Sequence, residues 1–247
     1  AHGLFQFYGA NRTGRWSSRM IQLQNLPQNH MKDLDLARSM VEKGDYDLIE
    51  MCYGNIPNVL SELIRTAFIA PEGKMFAVAD FSAIEARVLS WLAQEKWRLD
   101  VFNTHGKIYE ASASLMFGVP IEQVTKGSDL RQRGKTAELA LGYEGSVNAM
   151  EKMDKEKKLS KKEMYSIVAL WRRANPKIVE FWAEVNEKAI ECVQTRKIKK
   201  VSCLVFEHDG TNLTIALPAG RKLYYRNPRV RPNRFGQIGI VYDLSLI

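Results

Sequence analysis

The chain is poor in the residues that staple small or metal-built proteins. It has 3 cysteines and 4 histidines in 247 residues. Cys52, Cys192 and Cys203 are odd in number and far apart, which argues against a disulfide framework and against paired metal-ligand spacing. Reduced thiols, partly buried, are the simpler reading. Only 8 prolines are present, and no low-complexity linker or internal repeat interrupts the chain. No apolar run approaches the ~18 residues of a spanning helix, which argues against a membrane partner. No basic-then-apolar leader is recognisable at the first residue, so the expected location is cytoplasmic. That residue is Ala1, so a leader residue was removed or the sequence is a piece of something longer. What remains is 45% hydrophobic and 26% charged with a net charge of +8, an ordinary globular composition. Its length supplies a full core for one large domain or two modest ones. The positive balance suggests a polyanionic partner.

Residues 4–27 form a polar, loop-rich strip after a short strand-like start. In 31–68 apolar residues recur at helical spacing, as in Ile56, Val59, Leu60, Leu63 and Ile64, with Pro57 placed for a first helical turn. Residues 75–79 make a compact apolar run that predicts a buried strand ending in Asp80. Helical periodicity dominates from Ser82 to about Lys200, with breaks at Gly118-Val119-Pro120, Gly127-Ser128 and Asn175-Pro176. The lysine-rich stretch 152–162 reads as the solvated end of a helix pair. From Cys203 onward, Asp209-Gly210, Pro218-Ala219-Gly220 and Asn227-Pro228 punctuate short alternating runs and predict β-hairpins.

Four constellations can carry chemistry. Asp80-Phe81-Ser82-Ala83-Ile84-Glu85-Ala86-Arg87 runs from the expected strand into a helix. A carboxylate at a strand end suits a divalent metal, yet Ser82 followed by Glu85 also spells a capping box. Arg131, Lys135, Leu139 and Tyr143 are spaced four apart, so each pair drifts only about 40° around a helix and all four predict one stripe. Two cations, an apolar residue and an aromatic in that order could hold a phosphate chain and then a flat base. A solvated basic face over an apolar one has the same spacing. Thr13-Gly14-Arg15 with Gln22-Leu23-Gln24-Asn25-Leu26-Pro27 offers charged and neutral donors for phosphates, sugars and minor-groove acceptors. Last, Arg221, Lys222, Arg226, Arg229, Arg231 and Arg234 interleave with Tyr224, Tyr225 and Phe235, a backbone-tracking surface or a solvated hairpin face.

In this order the segments resemble the polymerase domain of family A, DNA polymerase I-like, DNA polymerases, above all their bacteriophage branch. The Asp80 segment looks like motif A. Arg131, Lys135 and Tyr143 match motif B on the nucleotide-binding helix of the fingers. The strip from Thr13 to Pro27 looks like the primer-template contact region, and Met116-Phe117-Gly118-Val119-Pro120 sits at a similar fingers helix end. The resemblance implies an α+β fold, with partial palm β-structure and an inserted α-helical fingers subdomain. Residues 1–81 would be the palm part with the primer-template strip, 82–200 the fingers, and 201–247 a β-hairpin segment at the palm/fingers edge. It implies template-directed addition of deoxynucleotides to a primer 3′ end by two-metal phosphoryl transfer.

By that resemblance Asp80 is a catalytic metal ligand and the Phe81 carbonyl a second ligand, both for Mg²⁺. Glu85 would block a ribose 2′-hydroxyl. Arg131 and Lys135 would grip the triphosphate, Leu139 would pack on the incoming sugar and base, and Tyr143 would guard the template position. Arg15, Gln22, Gln24, Asn25 and Arg87 would hold primer and template. The implied partners are primer-template DNA, deoxynucleoside triphosphates and the remainder of the polymerase palm. The chain departs from the family at Leu139, where many relatives carry Phe or Tyr, at Tyr109, where many carry a phosphate-binding His, and at Tyr143-Glu144-Gly145. The late His-Asp-Glu motif with the second catalytic Asp has no counterpart. His208-Asp209-Gly210 reads as a hairpin turn and Asp243 is a weak substitute. The expectation is therefore a chain with little activity alone, the alternatives being a non-catalytic DNA- or nucleotide-binding module or a prophage remnant.

Overall fold

The computed structural model describes residues 3–10, 13–154, 159–232 and 236–243, with the side chain of Gln24 outside that set. Arg234 and Phe235 of the basic tail, and the middle of the lysine-rich stretch at 155–158, likewise lie outside the described residues. The fold is α+β and divides into two compact units, Ala1–Asp80 and Phe81–Ile247.

In the first unit, β1 (Phe5–Ala10) and β2 (Arg15–Ser18) pair as an antiparallel hairpin. Three short helices follow, α1 (Leu34–Lys43), α2 (Tyr46–Tyr53) and α3 (Ile56–Leu63). Asp45 and Asn55 cap α2 and α3 through their side-chain oxygens, and Pro57 occupies the first turn of α3 as expected. Ala37, Met40, Ile49, Val59 and Leu63 form the core. Residues 26–31 are strapped to the end of this helical layer. Arg65 donates from Nε to the Pro27 carbonyl and from Nη2 to the Leu26 carbonyl, both at 2.7 Å. The Glu62 carboxylate accepts from the backbone N–H groups of His30 and Met31, also at 2.7 Å, and those bonds hold its pKa below the usual carboxylate range.

The predicted strand at 75–79 does not form. The segment is irregular, and Met75 and Val78 are 89% and 91% exposed. A strand exists only as part of a ladder, and among the described residues no other segment pairs with it. The apolar run was legible, but the partner that would turn it into a buried strand was not.

The second unit is a helical layer packed on a sheet. Its helices are α4 (Ile84–Ala93), α5 (Lys96–Thr104), α6 (Ile108–Phe117), α7 (Asp129–Leu141), α8 (Val147–Met153), α9 (Lys161–Ala174) and α10 (Pro176–Thr195). The breaks at Gly118, Ser128 and Asn175-Pro176 fall where the sequence puts them. Gly118 is left-handed at φ 67°, and the Ser128 side chain caps α7. The Ser82/Glu85 capping box does not form. Ala83, at φ 50°, stands at the N-cap of α4 without a side-chain bond. The capping box of this chain is instead Ser160 with Glu163, at the start of α9.

Trp171, Leu141, Met150, Ile167 and Ile178 centre the helical core. A second cluster joins Ala189 and Cys192 of α10 to Val201, Leu204, Phe206 and Leu213 of the sheet. Of the thiols, Cys192 is buried while Cys52 and Cys203 are exposed. The sheet is an antiparallel meander of β3 (Lys199–Val201), β4 (Leu204–His208), β5 (Asn212–Ala216), β6 (Lys222–Pro232) and β7 (Ile238–Asp243). Asp209-Gly210 and 218–220 turn the chain as predicted. Asn227-Pro228 does not, because it lies inside β6, where the register shifts between Arg226 and Arg229. Asn227, at φ 47°, adopts the left-handed conformation that Asn tolerates, and its side chain donates to Asp243 at 2.8 Å. None of the helices is long and apolar enough to cross a membrane, among the described residues.

Candidate functional site

The centre of the candidate site is the face that α7 turns toward α6. These two helices approach closely because Gly134 lacks a side chain: a Cβ there would meet the Tyr109 carbonyl oxygen at 2.4 Å and the Ala113 Cβ at 3.0 Å. The approach brings Arg131 against Glu110, Nε to Oε1 at 2.6 Å, with the guanidinium 5.6 Å from the centroid of the Tyr109 ring. Burial pushes the Glu110 carboxyl up. The hydrogen bond from Arg131, its own backbone N–H and the charges of Arg131 and Lys107 outweigh that, so its pKa is lowered. Tyr109 shifts the other way. Burial and the charge of Glu138 raise its hydroxyl, Arg131 opposes, and Glu110 and Glu85 add to the rise.

Lys135 is half-buried one turn further on, and Leu139 is exposed. Arg131, Lys135 and Leu139 share the stripe that their spacing predicts. Tyr143 does not continue it. The helix ends at Leu141, Gly142 caps it, and Tyr143 stands in the following turn, 69% exposed. The glycine at 142 ends the periodicity before it reaches the aromatic.

Beneath this stripe lies a network that sequence reasoning missed. Arg98 and Glu138 are fully buried and joined in a two-pronged ion pair. Arg98 also donates to Ser90 Oγ at 2.8 Å and to Asn175 Oδ1 at 3.0 Å, while the Trp171 indole N–H donates to Glu138 at 2.8 Å. Every polar group in it has a partner, as a buried ionic cluster requires. Close by, Glu95 accepts from the backbone N–H groups of Lys177 and Ile178 and so caps α10 from another helix. The available signal was helical position: Glu138 sits among Thr136, Ala137, Ala140 and Leu141, all buried.

Asp80 and Phe81 lie in exposed, irregular backbone at the division between the units, Phe81 being 79% exposed. Arg87 donates to the Ser82 carbonyl at 2.9 Å and its guanidinium stands 4.5 Å from the Phe102 ring centroid. In the first unit, Arg15 is exposed on β2, and Gln22 accepts from the Asn25 side chain around a single 3₁₀ turn. Among the described residues no group of three His, Cys, Asp or Glu side chains could hold a metal ion. The Asp209 carboxylate is consumed by its turn. It accepts from the Asn212 side chain and from the backbone N–H groups of Thr211 and Asn212, which pull its pKa down to about 2. Asp243 is held by Asn227 and Arg229.

With this geometry in hand, the comparisons are direct. The family model described as DNA polymerase family A matches residues 2–214. The DNA polymerase of Bacillus phage SP02 is 54% identical over 247 residues, covering 99% of this chain and 38% of that protein. The thermostable DNA polymerase I of Thermus aquaticus is 33% identical over 169 residues, 68% of this chain and 16% of that protein. Among solved structures, the POL domain of Pol1 from M. smegmatis, in complex with DNA primer-template and dNTP, shares the fold. Its TM-score is 0.54 and its identity 22%, over 87% of this chain and 29% of that one. The chain thus spans well under half of the relatives it matches.

Proposed function

The chain belongs to DNA polymerase family A, and from that premise we propose that it carries the nucleotide-gripping part of a template-directed DNA polymerase, with 1–81 as palm, 82–200 as fingers and 201–247 at their edge. The observation that carries the reading is the α7 stripe. Arg131 and Lys135 offer two cations on one rigid helix, spaced for successive phosphates of a deoxynucleoside triphosphate, with Leu139 next along for the sugar and base. Tyr143, in the turn beyond, would stand at the template position. Glu85, on the first turn of α4, would exclude a 2′-hydroxyl, since a side chain filling that space costs a ribonucleotide a clash and a deoxynucleotide nothing. Arg15, Gln22, Gln24, Asn25 and Arg87 would hold primer and template.

Asp80 and the Phe81 carbonyl would supply one arm of a Mg²⁺ site; both residues are exposed, and Mg²⁺ is held through one or two carboxylates with water and substrate phosphates in the remaining positions. Bound there, the ion would lower the pKa of the primer 3′-hydroxyl and neutralise charge on the α-phosphate. Asp80 would hold that ion, and the role of Arg131 and Lys135 would be to hold the phosphate chain.

A second reading concerns this chain by itself. With one carboxylate at the site and Asp209 and Asp243 otherwise engaged, it would bind nucleotide and DNA with little turnover. Primer extension by the purified chain separates the two. Weak extension with nucleotide binding that is lost in Lys135→Ala fits this reading; robust Mg²⁺-dependent extension abolished by Asp80→Ala would overturn it.

A further inference from the structure

The outer face of the five-stranded sheet carries a row of cations that only a bulge could align. Along β6, Lys222, Tyr224 and Arg226 point one way by strict alternation, and without interruption Arg229 and Arg231 would point the other. The pairing shows otherwise. Arg226 lies opposite Asp243, while Arg229 lies opposite Val241, so β6 holds one extra residue between them. The bulge at Asn227-Pro228 resets the alternation, and Lys222, Tyr224, Arg226, Arg229 and Arg231 share one face. Cross-strand partners place Lys200 of β3 and Val205 of β4 in the same row as Lys222.

The face opposes the one packed on α10, which buries Phe206 and Leu213 and covers Tyr225. Its acids are Glu207, paired with Lys222 at 3.1 Å, and Asp243, paired with Arg229 at 2.6 Å. Among the described residues neither Arg226 nor Arg231 is paired with a carboxylate, and both are exposed. Tyr224 is 64% exposed between Lys222 and Arg226.

We propose that this face binds the sugar-phosphate backbone of single-stranded DNA, with Arg226 and Arg231 on alternate phosphates, Arg229 lying between them, and Tyr224 as a stacking platform for a base. Same-face residues two apart on a strand are ~6.8 Å apart, a step that tracks one extended polynucleotide strand, and an exposed tyrosine in the line meets an unpaired base rather than a stacked pair. The inference extends the reading of DNA as partner, but it needs neither Asp80 nor nucleotide addition.

Fluorescence anisotropy of labelled oligothymidylate with the full chain tests it. Arg226→Ser with Arg231→Ser should weaken binding about tenfold at low salt and lower the slope of log affinity against log salt by about 1.4. Tyr224→Ala should weaken it about fivefold. Lys152→Ser with Lys162→Ser, an equal charge change on exposed lysines elsewhere, should shift affinity less than twofold. All substituted side chains are exposed, so an unchanged melting temperature serves as the folding control. Equal losses in the two double variants would overturn the proposal, as would an equal loss for a duplex of the same length. Unchanged triphosphate binding in Lys135→Ala with these single-strand results intact overturns the nucleotide-gripping reading and leaves this proposal standing. Failure of these results with Lys135→Ala behaving as expected brings down this proposal alone.

Discussion

Helix α7 holds two arginine–glutamate pairs of opposite character. Toward its C-terminal end Glu138 meets Arg98 in a buried pocket closed by Ser90, Asn175 and Trp171. Two turns earlier, on nearly the same face, Arg131 meets Glu110 at a partly exposed surface, the outer pair. Both pairs are short, yet they do different things. Removing two charges from water costs about as much as their attraction returns, so the inner pair contributes direction more than stability: its planar fork fixes the rotation of α7 about its axis. The outer pair stays exchangeable, because water and anions can reach it and a phosphate can replace the carboxylate. A helix fixed toward one end and exchangeable toward the other presents its cations at constant position to a ligand that must come and go.

The largest effect should come from breaking the buried pair. Glu138→Ala leaves Arg98 buried without its counter-charge and should cost about 3–5 kcal/mol in denaturant unfolding, whereas the double change Arg98→Met, Glu138→Leu should recover most of it. Recovered stability with weakened triphosphate binding would show that the pair sets geometry. Next comes Gly134, which lies between the two pairs along α7. Gly134→Ala drives a methyl group into the Tyr109 carbonyl and should cost about 1–3 kcal/mol, again by unfolding. The capping box at Ser160 is tied to α7 through Glu163, which accepts from Arg133 at 3.1 Å. Ser160→Ala should lower stability by about 1 kcal/mol.

At the Arg131–Glu110 pair, Glu110→Gln should change stability by less than about 1 kcal/mol. It should also tighten triphosphate binding severalfold in equilibrium titration, by removing the competing carboxylate. A loss of binding would show that Glu110 aims Arg131. The smallest effect is in pH. The folded pKa of Glu110 is depressed, so the pair's stabilisation is fully present above the unfolded carboxylate value, about 4.3, and is lost as pH falls from there through the lower folded value. Carbon-detected titration of the Glu110 side chain, with and without Arg131→Ala, reads that shift directly.

What was legible in the sequence follows the reach of each signal. Asp209-Gly210, Ser128 and Asn175-Pro176 act on their own few residues, and each shapes the chain where it stands. The stripe from Arg131 to Leu139 was legible because helical spacing is local. Arg98 was not, because its partner Glu138 is 40 residues away and nothing about a lone arginine beside Trp97 says that it is inside. The run at 75–79 failed for the related reason that a strand needs a partner its own sequence does not specify. Asn227-Pro228 was read as a turn because it carries turn residues. The ladder instead absorbed them as one extra residue, a choice made by pairing on both sides of β6.

The cap that Glu95 gives to α10 has a kinetic meaning. Since Glu95 takes over the first N–H groups of that helix, Asn175 is left to bind Arg98, and the two devices join residues 90–98, 138 and 171–178 in one interlocked set. Contacts spanning 33 to 83 residues must close before all of these buried charges are satisfied. The helical layer of the second unit is therefore bound to assemble late and together rather than helix by helix, slower than a bundle built from neighbouring helices alone.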